Sequence, residues 1–308
     1  MPSVKQLAKA VATERRLEEL RRCQRDLWYL LTEYLGYAFS PSAGRGLTER
    51  MHLPVVQWLQ RHRDDEKRGF WCRRGWHKTT IVEGIFLQEI LLDPLKTHLY
   101  WAGSDDLCND TATAIASHMR YNEKLRALDP IGIDPRSGRP FSAFPRKTNT
   151  KFLTLTPGKV AVNTLRPYGA KSKGQTIRFR TVNSEGAGKH VDGLGVMDDI
   201  IGRNTIERSE VQKVTRWVQN TVYRLVDSRR LLMIGTPWSE QSVHQIWMDD
   251  PQVRTLILPG AVDETDEQVA EMLRADEFKM HFSPSYQFTN PTFWPADWAG
   301  KARKLLAR

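Results

Sequence analysis

A basic turn between an apolar run and a helix-like segment constrains this chain most. Residues 69–71 are apolar and lead into Cys72-Arg73-Arg74-Gly75-Trp76-His77-Lys78-Thr79-Thr80, which an amphipathic segment follows over 81–92. Backbone N–H groups at a helix N-terminus attract anions, and a lysine with a following hydroxyl completes a phosphate site. The segment therefore predicts a strand, a phosphate-binding loop and a helix, although His77 stands where the pattern G-x-x-x-x-G-K-[ST] has glycine. The alternative is an ordinary basic turn on the surface.

A second motif ends in two carboxylates. Residues 194–201 read Leu-Gly-Val-Met-Asp-Asp-Ile-Ile, which predicts a buried parallel strand ending at Asp198 and Asp199. Such carboxylates face the crevice in which open α/β sheets bind ligands. In a nucleotide site Lys78 would contact the β- and γ-phosphates, Thr79 and Asp198 would hold Mg²⁺, and Asp199 would activate the attacking water. The alternative is that one aspartate caps the next helix.

A third apolar run ends in a hydroxyl. Residues 229–238 read Arg-Arg-Leu-Leu-Met-Ile-Gly-Thr-Pro-Trp, which predicts a strand with Thr236 at its end. The hydroxyl of Thr236 would lie beside the γ-phosphate and sense its loss, whereas the alternative is a plain exit from the strand. Together the three motifs favour one nucleotide site. Its predicted lining residues are Arg74, Gly75, Trp76, His77, Lys78, Thr79, Thr80 and Thr236.

The order of these motifs resembles that of the large subunit of viral terminases, the ATPases that package DNA into the heads of tailed phages. The resemblance covers about residues 45–300 and rests on four segments. They are Arg74-Gly75-x-x-Lys78-Thr79, then Trp101-Ala102-Gly103-Ser104, then Gly186-x-Gly188 before Val196-Met197-Asp198-Asp199-Ile200, and finally Ile234-Gly235-Thr236-Pro237-Trp238. It implies the N-terminal ATPase domain of such a subunit, an α/β P-loop NTPase fold (RecA/ASCE-like) with a mostly parallel sheet flanked by helices, and ATP and Mg²⁺ as cofactors.

The resemblance also implies roles and partners. Arg74 matches the arginine that terminases carry inside the loop, so it would act with Lys78 and Asp199 in catalysis. The implied partners are double-stranded DNA, the capsid portal, the small terminase subunit and further copies of the chain. These copies would form a homo-oligomeric ring, a pentamer on the capsid, while the chain in isolation would be a monomer. The implied location is the host cell cytoplasm during virion assembly, without secretion and without a membrane.

Positive charge is concentrated in one part of the chain. The net charge is +10, and residues 135–184 hold eleven Lys or Arg and no Asp or Glu. A field of one sign over such a length attracts phosphates, so the window predicts a nucleic-acid surface. We select Lys159, Arg166, Lys171 and Lys173 as contacts; the alternative is a solvated basic face.

Composition excludes several classes of protein. The three cysteines, Cys23, Cys72 and Cys108, fit neither a disulfide framework nor a zinc site, which favours a reducing compartment. The eight histidines form no metal-binding pair by spacing, so no structural metal is expected. The apolar stretch 81–92 contains Glu83 and Glu89 and is too short to span a membrane, and the N-terminus lacks a signal-peptide pattern.

Three regions are predicted along the chain. They are an N-terminal helical arm over 1–45, the P-loop ATPase core over 46–260, and a C-terminal lid or linker segment over 261–308 without the nuclease domain of the family, so nuclease activity is not expected. Strands are predicted at 69–73, 97–102, 152–156, 176–182, 194–198, 230–235 and 253–258. Helices are predicted at 52–61, 79–92, 105–128, 206–226 and 240–249, and helices between strands favour a parallel sheet. The arm would face DNA or a partner, or would pack as an amphipathic helix.

The leading hypothesis is an ATP-hydrolysing motor that translocates double-stranded DNA into a capsid. One alternative is a helicase-like DNA-dependent ATPase with the same nucleotide site. A second, from another class, is a nucleic-acid-binding assembly protein whose nucleotide site is weakened, for which His77 argues. Turnover of ATP separates the second alternative from the other two.

Overall fold

The protein is described by a computed structural model over most of its length. The described residues are 3–40, 42, 46–72, 76–93, 96–128, 132–133, 140–141, 152–153, 176–182, 190–201, 208–236, 243–258, 261–262 and 287–288.

Helices and strands alternate through the core. The helices are α1 Val4–Arg25, α2 Leu27–Tyr29 continued by a π-helical turn Leu30–Tyr34, α3 Glu49–Arg61, α4 Lys78–Leu92, α5 Asp105–Tyr121, α6 Glu123–Ala127, α7 Arg208–Trp217 continued by a π-helical turn Val218–Val222, α8 Tyr223–Leu225 and α9 Val243–Asp249. The strands are β1 Lys67–Cys72, β2 His98–Ala102, β3 Gly132–Ile133, β4 Pro140–Phe141, β5 Phe152–Leu153, β6 Ile177–Thr181, β7 Gly195–Asp198, β8 Leu231–Gly235, β9 Arg254–Leu258, β10 Ala261–Val262 and β11 Gln287–Phe288.

Seven of the strands form one sheet in the order β5-β6-β2-β7-β8-β1-β9. Every pair in it is parallel except β5 with β6. The remaining strands form two small antiparallel pairs, β3 with β4 and β10 with β11. The predicted α/β fold, a mostly parallel sheet flanked by helices, is confirmed.

The two faces of the sheet bury different sets of side chains, because successive side chains of a strand point to opposite faces. Phe70, Val196 and Ile234 belong to a core with α1 to α5. Trp71 and Met197 belong to a second core with α7, the π-helical turn after it and α9. Helices on both faces explain why the strands read as continuous apolar runs.

Two helix predictions are corrected by the structure. The helix over 81–92 is not amphipathic: α4 is buried on nearly every face, including Glu83 and Glu89. It lies between the sheet and the helices α1, α2 and α5, so it has no solvated face. The single helix predicted over 105–128 is two helices, because Asn122 ends α5 and its side chain accepts a hydrogen bond from Leu125 N at the start of α6.

The N-terminal helices differ along their length. Val11 and Leu17 of α1 are exposed, whereas Cys23, Leu27 and Leu31 are fully buried. The amide of Gln24 donates to the carbonyl of Leu91 at 2.6 Å, which fixes the end of α1 to α4. The alternative of a packing helix therefore describes the second half of this segment.

Candidate active site

The carboxyl ends of four parallel strands meet at one edge of the sheet. In the pairing register Ala102 of β2 lies beside Asp198 of β7, Asp198 beside Ile234 of β8, and Gly235 of β8 beside Trp71 of β1. Ligands of open α/β sheets bind outside such an edge. The residues that follow these strand ends are therefore close in space although the sequence separates them widely.

Lys78 begins α4 directly above this edge. Its side chain is only 6% exposed, so the ammonium must be paired within the protein. Its Nζ donates to Thr236 Oγ1 at 2.8 Å, to Asp199 Oδ1 at 3.3 Å and to the Cys72 carbonyl at 3.4 Å. The structure thus brings the loop lysine, the second carboxylate of the acidic strand and the hydroxyl of the third motif into one cluster.

Thr79 and Asp198 meet beside this cluster. The hydroxyl of Thr79 donates to Asp198 Oδ2 at 3.0 Å, across 119 residues of sequence. The hydroxyl of Tyr100 donates to the same oxygen at 3.0 Å. Asp198 is fully buried, and its Oδ1 has no hydrogen-bond partner among the described residues. Burial, and secondarily the charge of Asp199, raise the pKa of Asp198 to about 6, against the lowering effect of Lys78, Thr79 and Tyr100.

Asp199 is held in a left-handed backbone conformation, with φ of 44°. Its N–H donates to the Ile234 carbonyl at 2.9 Å, and its Oδ1 accepts the Thr236 N–H at 3.0 Å. Gly103, at the end of β2, makes this turn possible, because a Cβ there would stand 2.3 Å from the Asp199 carbonyl oxygen. The carboxylate is 34% exposed, so it is open to solvent at the mouth of the site.

His77 precedes α4 in the left-handed conformation, with φ of 49° and ψ of 32°. Glycine adopts this conformation without a Cβ penalty, which explains why the phosphate-loop pattern has glycine here. The imidazole of His77 lies 5.7 Å from that of His52, and His52 lies 5.3 Å from the ring of Trp76. Burial lowers the pKa of His77, and burial with the neighbouring His77 lowers the pKa of His52 to about 4. Both rings are therefore neutral near pH 7.

The predicted site residues fall into three groups. Lys78, Thr79, Asp198, Asp199 and Thr236 are brought together. Trp76 is buried in the core against His52, His77 lies beside the same imidazole, and Thr80 is partly buried on the first turn of α4. Arg74, Gly75, Lys159, Arg166, Lys171 and Lys173 lie outside the described residues.

The sequence reading missed a polar network behind the site. Tyr37 donates to Glu83 Oε2 at 2.5 Å, and its hydroxyl lies 2.7 Å from His118 Nε2. Burial raises the pKa of Glu83 to about 7, the hydrogen bond from Tyr37 lowers it, and the charge of Asp198 raises it. Tyr100 was also missed. Only its position could have indicated it: Tyr100 lies on β2, which pairs with the acidic strand β7, and Tyr100 itself pairs with Val196.

Two further properties concern the part of the chain that the structure describes. Within it, no three His, Cys, Asp or Glu side chains form a metal-binding group. No helix in this part of the chain is both long enough and apolar enough to cross a membrane.

Comparisons with known proteins give a similarity to a solved structure. No family model matches the chain, and no curated protein matches it. Among solved structures, the chain is similar to the crystal structure of the HK97 bacteriophage large terminase, with 12% sequence identity and a TM-score of 0.45. The match covers 93% of this chain and 52% of that one, so the chain spans about half the length of the HK97 protein.

Proposed function

We propose that this chain is an Mg²⁺-dependent ATPase and the motor domain of a viral genome-packaging terminase. The observation that carries the ATPase proposal is the hydrogen bond between Thr79 and Asp198 beside the cluster of Lys78, Asp199 and Thr236. The hydrogen bonds from Lys78 to Asp199, from Lys78 to Thr236 and from Thr79 to Asp198 each join residues more than a hundred positions apart. Each of these residues has the side-chain type that phosphoryl transfer requires at that place. If these residues only ended a strand and capped the next helix, one aspartate would be enough, and the other four side chains would not be needed.

The donor set fits Mg²⁺. The ion prefers oxygen ligands and keeps several waters, and it is held at such sites by one or two protein groups together with phosphates. Thr79 Oγ1 and Asp198 would hold it, and Asp198 Oδ1, which no described residue contacts by a hydrogen bond, is a buried acceptor available to one of its waters. When bound, Mg²⁺ would neutralise charge on the phosphate oxygens.

Lys78 changes partner when the nucleotide binds. Its Nζ now faces the Asp199 carboxylate, the Thr236 hydroxyl and a carbonyl, and the β- and γ-phosphate oxygens would replace Asp199 as its anionic partner. Asp199 is then free to accept a hydrogen bond from the attacking water. The Thr236 hydroxyl donates to the Cys72 carbonyl at 3.2 Å, so Thr236 stays between the end of β1 and Lys78.

The dependence of hydrolysis on Mg²⁺ tests this assignment. Thr79→Ala and Asp198→Asn are expected to raise the Mg²⁺ concentration for half-maximal ATP hydrolysis at least about 10-fold, because each removes a ligand or its orientation. Ser104→Ala is the matched control, since Ser104 is also a hydroxyl after a sheet strand but caps α5 through Leu107 N. An unchanged Mg²⁺ dependence in both site variants would contradict the assignment.

The DNA-translocating part of the proposal rests on charge and on the motif order. Phosphate contacts by Lys171 and Lys173 would make the affinity for double-stranded DNA depend on salt. Reversing both charges is expected to reduce the slope of log K against log salt by about 2. The control reverses Lys213 and Arg216, exposed on α7 and outside the basic window. Equal slopes for both double variants would move the DNA surface elsewhere.

The two alternative functions predict different results in a packaging assay. A motor is expected to move DNA into an empty capsid that carries its portal, with the small terminase subunit present and a ring of copies on the portal. A helicase-like ATPase would unwind a duplex and hydrolyse ATP without the capsid. An assembly protein with a weakened site would bind DNA without turnover, which His77 in the loop favours.

A further inference from the structure

A buried histidine lies behind the candidate site and has no hydrogen-bond partner among the described residues. His244, on α9, has no exposed surface. Neither its Nδ1 nor its Nε2 meets a hydrogen-bond partner among the described residues. Buried polar groups are almost always paired, and one left unpaired lowers stability. An aromatic hydrocarbon ring would fill this place at a lower cost, so packing alone does not explain an imidazole here.

The position of His244 points toward the acidic strand. A Cβ placed on Gly235 would stand 3.1 Å from His244 Nε2 and 3.5 Å from Asp199 Oδ1. The gap left by the absent side chain of Gly235 is therefore bordered both by His244 Nε2 and by Asp199 Oδ1, which are not hydrogen-bonded to each other in this structure. The ring of Trp71 bounds the imidazole on another side, with 6.2 Å between ring centroids.

The charge state of the imidazole follows from this environment. Burial, and secondarily the ammonium of Lys78, lower the pKa of His244 to about 3. The ring is therefore neutral at pH 7 and carries one N–H and one bare nitrogen. A neutral donor near a carboxylate adds a hydrogen bond without adding a second cation beside Lys78.

We propose that His244 is a positioning residue that takes over the Asp199 carboxylate when nucleotide draws Lys78 away. The inference rests on the proposed ATPase function and deepens it. In the nucleotide-free state Lys78 and the Thr236 N–H hold Asp199 Oδ1. Once phosphate replaces Asp199 at Lys78, the carboxylate shifts into the gap at Gly235 and accepts a hydrogen bond from the Nε2–H of His244. Asp199 is then fixed from behind while its exposed face orients the attacking water.

The test compares His244→Phe with His244→Gln in steady-state hydrolysis of Mg²⁺–ATP. Losing one positioning hydrogen bond is expected to lower kcat about 10-fold with little change in KM for His244→Phe. His244→Gln keeps an N–H donor and is expected to recover part of the loss. Because His244→Phe also removes two buried nitrogens that have no partner in the described part of the chain, its Tm is expected to stay equal or rise. A role in packing alone predicts the reverse, a lower Tm with kcat per folded molecule unchanged.

Two further variants keep the test sharp. Gly235→Ala fills the gap between the imidazole and the carboxylate and is expected to lower kcat as His244→Phe does. His98→Phe is the matched control: His98 is also fully buried, but its Nδ1 accepts the Leu194 N–H at the start of the acidic strand. That variant is expected to lower Tm and to leave kcat per folded molecule unchanged.

The outcomes separate this inference from the proposed function. If the wild-type protein hydrolyses ATP, Lys78→Ala does not, and His244→Phe and Gly235→Ala both keep the wild-type kcat, the positioning role is overturned and the ATPase proposal stands. If the wild-type protein neither binds nor hydrolyses Mg²⁺–ATP, both fail together. A lowered kcat in both variants with Tm maintained in His244→Phe supports both.

Discussion

Two buried glutamates on the same helix are expected to respond oppositely to substitution by glutamine. Glu83 and Glu89 of α4 are 8% and 4% exposed. Burial raises the pKa of Glu83 to about 7, with Tyr37 lowering it and Asp198 raising it. Burial would also raise the pKa of Glu89, but hydrogen bonds and charge from Arg230, with Arg63, hold it at about 2. Arg230 donates twice to this carboxylate, at 2.6 and 3.0 Å.

The pKa shifts set the sign and the size of each effect. The folded protein binds a proton at Glu83 more tightly than the unfolded chain does. The stability that this proton contributes is therefore present below pH about 4.5 and is lost as the pH rises through about 7. A shift of this size corresponds to about 3 kcal/mol. Glu83→Gln keeps an acceptor for Tyr37 and no charge, so it is expected to be neutral at pH 4.5 and to stabilise by about 3 kcal/mol at pH 8.

Glu89→Gln is the matched control with the opposite sign. The folded-state pKa of Glu89 lies below the unfolded value, so its contribution is present above pH about 4.5 and is lost as the pH falls through about 2. The substitution leaves Arg230 facing an amide and is expected to destabilise by about 3 kcal/mol at pH 7, as expected for a broken buried ion pair.

Urea unfolding of the three proteins between pH 4.5 and 8 measures both effects. The difference between Glu83→Gln and wild type isolates one carboxyl group, because all other titrating groups are common to the two proteins. A difference that stays constant with pH, or a loss of stability at pH 8, would refute the view that Asp198 and burial keep Glu83 protonated.

Two further substitutions test the strained loop and the buried carboxylate. At position 77, glycine is expected to give a protein about 1 kcal/mol more stable than alanine, because φ is positive there; equal urea midpoints of His77→Gly and His77→Ala would refute this. Tyr100→Phe removes one of two hydrogen bonds to Asp198 Oδ2 and is expected to cost about 2 kcal/mol at pH 8. The loss should shrink below pH 6, where Asp198 is protonated; a loss that is the same at both pH values would contradict the assigned contact.

The sheet and the meeting of its strand ends followed from local pattern. Apolar runs separated by helices predict parallel strands, and the carboxyl ends of parallel strands share an edge. That rule alone predicts that Lys78, Asp198 and Asp199 lie close together. Among the parallel strands, the predicted and observed ends differ by two residues at most, for example 69 against Lys67 at the start of β1.

The errors arose where distant residues decide the environment. The glutamates of α4 look like a polar face in sequence, yet Tyr37 and Arg230 pair with them from far along the chain. Local periodicity cannot show such partners, so the sequence predicts an amphipathic helix over 81–92. The sequence pattern gives no indication of the role proposed for His244, because that role depends on the gap left by Gly235.

His77 shows how a departure from a motif can be conformational. The sequence pattern requires glycine, and the structure shows the left-handed backbone that causes the requirement. Histidine tolerates this conformation better than most residues, and His52 packs against its ring. The departure therefore keeps a left-handed backbone at the residue before α4.

Hydrolysis of Mg²⁺–ATP by Lys78→Ala, compared with wild type and Lys67→Ala, tests whether a nucleotide site lies at the start of α4. Lys67 lies at the opposite end of β1, where its Nζ is 3.8 Å from Asp250 Oδ2, so it controls for the loss of a strand-flanking lysine. A nucleotide site at the start of α4 predicts turnover by the wild-type protein and by Lys67→Ala, and none by Lys78→Ala. Equal turnover by all three proteins would contradict a nucleotide site at the start of α4.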